Sequence, residues 1–208
     1  MDEMIELNNY IDTISYIIQK HKDITEEWDS YCASNGIEPF NQKKMQVIDL
    51  VESDELFDNV KKYLSFLIQN TIDVSEHLED NNIRYRLKTL NSVESKIFKY
   101  VYNNVEKGRV PVLKCLNDIY GTRIITNKYY TYEEIQEFID KHFPGLKCIP
   151  SIKNGYNATH LYFKIDNYHF QWEMQIWSKK YENSNIASHT KHKQAYAEWE
   201  DENNKRRY

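Results

Sequence analysis

Four short segments of the chain carry side chains of the types that bind phosphate, hold a metal ion or move a proton. In the first segment, Arg86 and Lys88 precede Ser92 and Lys96. Ser92 and Lys96 are four residues apart and share a face near the start of a predicted helix, where the helix dipole favours an anion. The segment therefore predicts a phosphate-binding surface, and a plain basic surface is the alternative.

Two further segments each supply a carboxylate from a predicted strand. Residues 171–176 alternate strictly, so Glu173 and Gln175 share one face of the sheet while apolar residues occupy the other. Asp118 begins a second predicted strand. Carboxylates on rigid strands suit a general base or Mg²⁺, which prefers one or two carboxylates together with phosphate oxygens and water. We expect Asp118 and Glu173 to act in this way, with a capping residue and a solvated strand face as the alternatives.

The remaining segment is a glycine-containing loop that leads into a strand. It reads Asn154-Gly155-Tyr156, and His160 follows four residues after the tyrosine. A tyrosine presented by a loop can stack on a nucleobase, an interaction of about 1–3 kcal/mol. His160 can reach the same ligand. An ordinary turn with a packed tyrosine and a buried histidine is the alternative.

Hydrophobic periodicity predicts the elements that position these segments. Apolar residues recur at helical spacing in residues 4–20 and from about 43 to 77. Beyond residue 82, we predict strands at 83–87, 118–126, 147–149, 158–165 and 169–177, helices at 91–104 and 132–142, and a polar helical region at 178–203. Asn91 and Glu94 resemble a capping box at the start of a helix. The pattern predicts an α+β fold, with a mixed or antiparallel sheet of about five strands packed with helices, an N-terminal helical extension and a C-terminal helix.

The charges are distributed unevenly along the 208 residues. Residues 1–80 carry 6 basic and 18 acidic side chains, whereas residues 81–208 carry 21 basic and 14 acidic side chains. The asymmetry predicts an acidic N-terminal helical region at 1–80 and a basic domain at 81–208 that handles anions.

The composition excludes several classes of protein. The five glycines lie at least ten residues apart, so neither a G-x-x-x-x-G-K nor a G-x-G-x-x-G phosphate loop is present. Three cysteines without a C-x-x-C pair predict a reducing compartment and no disulfide framework. No apolar run approaches the ~20 residues that cross a bilayer, and the N-terminal sequence is acidic where a signal peptide is basic. We expect a cytoplasmic protein without a membrane partner.

In their order along the chain, the four segments resemble the synthetase domain of the RelA/SpoT family. The matching patterns are R-x-K-x3-S-x3-K from Arg86, D-I-x-G-x-R from Asp118, N-G-Y-x3-H from Asn154 and E-x-Q-I from Glu173. The resemblance covers residues 82–193. It implies an ATP pyrophosphotransferase that moves the β,γ-diphosphate of ATP to a ribose 3′-hydroxyl and leaves AMP.

The resemblance also implies roles for individual residues on the ATP side. Arg86 and Arg123 would stack on the ATP adenine. The side chains that would contact the ATP phosphates are Lys88, Ser92 and Lys96. Asp118 and Glu173 would be the catalytic carboxylates that hold the Mg²⁺ cofactor, and Glu173 would also activate the attacking hydroxyl.

On the acceptor side, the resemblance implies that Tyr156 stacks on the acceptor base. The supporting polar residues would be His160, Gln175 and Asn154. Several neighbours depart from the family's usual residues: Trp177 and Ser178 replace Arg-Thr, Asn157 replaces Arg or Gln, and the usual H-W-x-Y-K pattern is reduced to residues 189–193. With these departures, the chain resembles the toxic small alarmone synthetases, some of which pyrophosphorylate the 3′-CCA end of tRNA.

We therefore expect a toxic small alarmone synthetase that pyrophosphorylates the tRNA 3′ end and inhibits translation, with a (p)ppGpp synthetase using GDP or GTP as the alternative. The basic side chains available to tRNA are Lys153, Lys179, Lys180, Lys191, Lys193 and residues 205–207. The acidic residues 1–80 would cap the site or bind a partner such as an antitoxin protein. A hypothesis of another class is a catalytically silent homologue that binds nucleotide or a partner, against which the presence of Asp118, Glu173 and Tyr156 argues.

Overall fold

The computed structural model describes residues 5–81, 83–102, 105–191 and 194. Its strands are β1 (Arg84–Leu87), β2 (Tyr120–Thr126), β3 (Lys147–Lys153), β4 (Tyr156–Phe163) and β5 (Trp172–Ser178). They form one sheet in the order β1-β2-β5-β4-β3. The β2 and β5 strands pair in parallel and every other pair is antiparallel, so the predicted mixed sheet is confirmed.

Helices precede the sheet, pack on it and follow it. They are α1 (Ile5–Asn8), α2 (Ile11–Asn35), α3 (Val47–Glu52), α4 (Asp54–Asn70), α5 (Ile72–Asp80), α6 (Leu90–Tyr102), α7 (Val112–Cys115) and α8 (Tyr132–His142). A further helix, α9, covers residues 182–191. The α+β fold with helices at both ends is therefore as predicted. No helix within the described residues is long and apolar enough to span a bilayer.

The N-terminal helices differ from their predicted lengths. Helix α2 continues to Asn35 instead of ending near residue 20, because Ile24 and Trp28 extend its buried face. The predicted single helix over 43–77 is three helices. One break lies at Ser53, whose side chain accepts a hydrogen bond from a backbone N–H at the start of α4.

The start of α6 also differs from the prediction. The backbone N–H of Ser92 donates to Oγ1 of Thr89 at 3.3 Å, so Thr89, and not Asn91, caps this helix. At the other end, the predicted residues 103 and 104 lie outside the described residues.

A two-residue turn sets the boundary between β3 and β4. Asn154 and Gly155 both have positive φ, at 52° and 82°, which matches the right-handed twist of the two strands that they connect. Lys153 and Tyr156 are therefore directly paired. As a result, β3 runs four residues beyond its predicted end at 149 and β4 begins earlier than predicted.

The sheet has one apolar face, which packs on the N-terminal helices. Trp172 of β5 is fully buried, stacks on Tyr120 at 4.2 Å between ring centres, and lies 5.1 Å from the ring of His21 on α2. Ile14 of α2 and Met174 of β5 belong to the same cluster of buried side chains. The division of the chain at residue 80 stays a prediction.

Candidate active site

The opposite face of the sheet collects the polar side chains. The strand register pairs Arg123 of β2 with Gln175 of β5, and Gln175 with His160 of β4. Alternation along β5 adds Glu173 to this face, and β1 adds Arg86 beside β2. Side chains from residues 86 to 175 of the sequence thus meet on four adjacent strands.

Asp118 lies just before β2 and gathers three cations. Its Oδ1 lies 2.9 Å from Nζ of Lys96, and its Oδ2 lies 3.0 Å from Nζ of Lys88 and 3.7 Å from Nη2 of Arg86. Burial alone would raise the pKa of Asp118, but the attraction of Lys96 and Lys88 outweighs it and holds the pKa well below its usual range. Asp118 therefore stays ionised at neutral pH and holds two ammonium groups side by side.

This cluster leaves an excess of positive charge. Three cations surround one carboxylate, and the Lys88 and Lys96 side chains are only 9% and 14% exposed. Ammonium and guanidinium groups are the side chains that bind phosphate oxygens through charge-assisted hydrogen bonds. Ser92 is exposed in the first turn of α6, where its Oγ lies 2.9 Å from the hydroxyl of Thr89. The cluster is chemically suited to a polyphosphate.

Glu173 lies in a chain of hydrogen bonds along the polar face. Its Oε1 lies 2.9 Å from Nδ1 of His160, and its Oε2 accepts from Nε2 of Gln175 at 2.8 Å. Oε1 of Gln175 accepts in turn from Nε and Nη2 of Arg123 at 3.1 and 2.9 Å. The Glu173 side chain is 6% exposed. Its orientation is therefore fixed from both sides.

Tyr156 extends the chain beyond His160. Its hydroxyl accepts from Nε1 of Trp177 at 3.1 Å and lies 2.9 Å from Nε2 of His160. Because the indole N–H can only donate, the tyrosine O–H remains available as a donor to Nε2 of His160. Burial raises the pKa of Tyr156 above its usual range, so the hydroxyl keeps its proton. Tyr156 thus connects Trp177 to His160.

The Arg123 guanidinium lies flat against the side chain of Trp177. Its Cζ is 3.5 Å from the centre of the indole ring, and Trp177 is 1% exposed. Stacking on an aromatic face and the two hydrogen bonds to Gln175 together determine the plane of the guanidinium. Trp177, which replaces the arginine that is usual in the family, therefore supports the neighbouring cation Arg123.

Helix α9 adds a histidine to this group. Asn185 is fully buried and anchors the helix to β4, since its Oδ1 accepts from the backbone N–H of Asn157 at 2.8 Å and its Nδ2 donates to the Asn157 carbonyl at 2.9 Å. One turn later, the His189 ring stacks on Trp177 at 5.4 Å and meets Tyr156 edge-on at 5.3 Å.

Tyr162 lies between the Asp118 cluster and the Glu173 chain. Its hydroxyl accepts from Nδ2 of Asn117 at 3.4 Å, lies 3.4 Å from Nδ1 of His160, and is hydrogen-bonded to Glu173. The two groups of predicted residues are therefore adjacent parts of one site.

Most of the predicted site residues come together. The two groups, joined through Tyr162, contain Arg86, Lys88, Lys96, Asp118, Arg123, Tyr156, His160, Glu173 and Gln175. Ser92 and Asn154 lie at the exposed helix start and hairpin turn described above, and their ligand contacts stay predictions. Lys193 and residues 205–207 lie outside the described residues.

Sequence reasoning missed the contacts of several residues. Tyr162 had a usable signal, because it follows His160 by two residues and strand alternation places both on one face. Asn117 could have been considered as well, because it directly precedes the predicted site residue Asp118. Trp177 stood out only as a departure from the family pattern, and nothing in the sequence placed His189 on it.

The two carboxylates differ in how well they suit Mg²⁺. Within the described residues, no group of three or more His, Cys, Asp and Glu side chains could hold a metal ion, but Mg²⁺ is usually bound through only one or two carboxylates and substrate phosphates. Asp118 fits this role, because its side chain is 22% exposed and its lysine partners are themselves phosphate-binding groups. Both oxygens of Glu173 already have hydrogen-bond partners, and its role at a metal ion stays a prediction.

Comparisons with known proteins give little further guidance. No protein-family model and no curated protein matches the chain. Among solved structures, the chain is similar to the small alarmone synthetase 2 from Bacillus subtilis, with 18% sequence identity, coverage of 68% of this chain and 75% of that chain, and a TM-score of 0.34.

Proposed function

We propose that the protein is a Mg²⁺-dependent ATP pyrophosphotransferase that transfers the β,γ-diphosphate of ATP to a ribose 3′-hydroxyl. The observation that carries this proposal is the position of the Asp118–Lys88–Lys96 cluster beside the Glu173–His160–Tyr156 chain on one face of the sheet. Transfer of phosphoryl groups depends mainly on positioning, cations and a metal ion. This face supplies positioned cations and carboxylates, which supports the proposal.

The Asp118 cluster forms the ATP side of the proposed site. Lys88 and Lys96 exchange their contacts with Asp118 for the ATP phosphates, with Ser92 at the helix start as a further contact. Asp118 then becomes available to Mg²⁺, which supplies neutralisation of the phosphate charge when bound. Arg86 and Arg123 present guanidinium planes, which stack well on a nucleobase.

The Glu173 chain forms the acceptor side. In the proposed reaction, the acceptor 3′-oxygen forms a bond to the β-phosphorus of ATP, the bond from that phosphorus to the α,β-bridging oxygen breaks, and AMP leaves with that oxygen. Glu173, held by His160 and Gln175, takes the proton of the attacking hydroxyl. Tyr156, whose hydroxyl is held by Trp177 and His160, stacks its ring on the acceptor base, with Asn154 in the adjacent turn.

We propose the tRNA 3′ end as the acceptor. Exposed lysines near Tyr156 support this choice, because phosphate contacts dominate affinity for nucleic acids. Lys153 pairs with Tyr156 across the hairpin, and Lys179 and Lys180 directly follow β5. GDP or GTP is the alternative acceptor for the same chemistry. We further propose that the protein acts as a toxin in the cytoplasm. An antitoxin protein would bind the acidic residues 1–80.

The test is incubation with γ-labelled ATP and Mg²⁺ in the presence of deacylated tRNA, GDP, GTP or ATP. The proposal predicts that the wild-type chain releases AMP and transfers the label to tRNA. In Glu173→Gln, the rates of both should fall by a factor of about 10²–10⁴. Glu137→Gln, a matched change at an exposed carboxylate of α8, should have no effect.

Two outcomes contradict parts of this proposal. Label on a mononucleotide alone would refute the tRNA acceptor and support the (p)ppGpp-type alternative. No AMP release with any acceptor would refute the catalytic assignment and favour a nucleotide- or partner-binding protein. Unchanged release by Glu173→Gln would refute the role of Glu173 as the base. Growth arrest on expression of the wild-type chain, absent with Glu173→Gln, tests the toxic action.

A further inference from the structure

We propose that Trp177 is a positioning residue that holds one residue of the ATP side and one residue of the acceptor side at the same time. The inference rests on the proposed function, because it assigns Arg123 to ATP and Tyr156 to the acceptor. Trp177 makes one kind of contact to each of them: its ring faces the Arg123 guanidinium at 3.5 Å, and its N–H donates to the Tyr156 hydroxyl at 3.1 Å.

The ring of Trp177 fixes Arg123. A guanidinium has two faces and a donor edge, and here Trp177 covers one face while Gln175 accepts from the edge. Burial is the main cause that lowers the pKa of Arg123 from its very high usual value. A nucleobase that stacks on Arg123 uses the second face, so the indole sets the height and tilt of that surface.

The N–H of Trp177 fixes Tyr156. It donates to the hydroxyl of Tyr156, which lies 2.9 Å from Nε2 of His160, and His160 in turn contacts Glu173. Together with the bonds from Arg123 through Gln175 to Glu173, these contacts close a ring of six side chains. Trp177 is the member of this ring that touches both Arg123 and Tyr156.

The two contacts of Trp177 can be separated by substitution. Trp177→Phe keeps an aromatic ring under Arg123 and removes the N–H to Tyr156. Trp177→Leu removes both. A matched control is Trp28→Phe, the same change at a tryptophan of α2 that packs on Tyr63 and Phe66 on the N-terminal helices.

The first measurement is the rate of AMP formation with ATP and acceptor varied separately. We expect Trp177→Phe to raise the acceptor KM about fivefold, as for the loss of one hydrogen bond, and to leave the ATP KM within about twofold. Trp177→Leu should raise both KM values about tenfold. Tyr156→Phe should raise the acceptor KM as well, and its combination with Trp177→Phe should add little. Trp28→Phe should change neither KM.

The second measurement needs no turnover. Calorimetric binding of α,β-methylene-ATP, in which the bond to be cleaved is replaced, should be retained in Trp177→Phe and weakened about tenfold in Trp177→Leu. Circular dichroism confirms that each variant is folded before its binding is compared.

The outcomes separate this inference from the proposed function. If the wild-type chain releases AMP but Trp177→Phe alters the ATP and acceptor KM values equally, or neither, the positioning role is wrong while the proposed function stands. If the wild-type chain releases no AMP with any acceptor, the proposed function is wrong and Trp177 has no acceptor to position. If the wild-type chain and Trp177→Leu bind the ATP analogue equally well, Trp177 does not position Arg123 for ATP, whether or not AMP is released.

Discussion

The ammonium of Lys96 lies 2.9 Å from Oδ1 of Asp118, and both side chains are more than three-quarters buried. Lys88 occupies the other oxygen at 3.0 Å. Removing the charge of Asp118 would leave two buried cations close together without this carboxylate, which costs more than an intact pair contributes. The same pair thus supports the fold and holds the proposed phosphate-binding cations in place.

This arrangement predicts a large stability effect at Asp118. Asp118→Asn should lower the free energy of unfolding by about 3 kcal/mol, measured by urea denaturation at neutral pH. Asp73→Asn is the matched control, because Asp73 pairs with Lys20 at 2.8 Å but is 62% exposed. The control should lose less than about 1 kcal/mol. Equal losses in the two variants would contradict the inference that burial makes the difference.

Arg123 should be sensitive even to a substitution that keeps its charge. Arg123→Lys loses the flat contact with Trp177 and cannot donate from a planar fork to Gln175. We expect the Kd for α,β-methylene-ATP to rise roughly tenfold, about 1.4 kcal/mol. Arg84→Lys, at a 57% exposed arginine that pairs with Glu182, should stay within about twofold. A similar change in both variants would show that charge alone is required.

The burial of His21 predicts that the stability of the protein depends on pH. Its ring is 2% exposed, and its Nε2 lies 3.0 Å from the carbonyl of Phe170. Burial, with the nearby His169, lowers its pKa to about 4 although the Phe170 carbonyl opposes the shift. The unfolded chain then binds more protons between pH 4 and about 6.5, so stability rises with pH through this window.

The contribution of His21 should be fully present above about pH 6.5 and lost as the pH falls towards 4, with a total of about 3 kcal/mol. Urea denaturation across this range measures it. His21→Gln should flatten the profile, whereas His77→Gln, at an exposed histidine of α5, should leave the slope unchanged. An unchanged slope in His21→Gln would assign the pH dependence to other groups.

Asn185 should be needed to hold α9 against the sheet. Asn185→Ala leaves the backbone N–H and carbonyl of Asn157 without their side-chain partners, which should cost about 2 kcal/mol in the free energy of unfolding. Asn35→Ala removes an exposed hydrogen bond at the end of α2 and should change stability by less than about 0.5 kcal/mol. Because α9 carries His189, we also expect the acceptor KM to rise. A loss no larger than that of the control would contradict an anchoring role.

Local signals predicted some elements well. Helix α8 has its predicted bounds because Thr131 and Glu134 form a capping box, with hydrogen bonds of 3.2 and 2.6 Å to each other's backbone N–H groups. The continuation of α2 was missed because its buried face includes His21 and Thr25, two polar residues that interrupt the apolar pattern.

The site was predictable only within each strand. Alternation placed Glu173 and Gln175 on one face, and their side chains are hydrogen-bonded. The contacts from Gln175 to Arg123 and from Glu173 to His160 depend on the register between strands that are far apart in sequence, and neither propensity nor periodicity encodes that register. The contact of His189 with Trp177 depends further on how α9 docks.

The position of β5 between β2 and β4 restricts how this protein can change during evolution. Consecutive residues of β5 serve opposite faces, so one inserted residue within the strand would exchange Glu173 and Gln175 with the buried Trp172 and Met174. The turn at Asn154 and Gly155 has no such restriction, because it lies at the end of a hairpin on the sheet edge. The turn beside Tyr156 can therefore change in length while the residues of β5 stay in register.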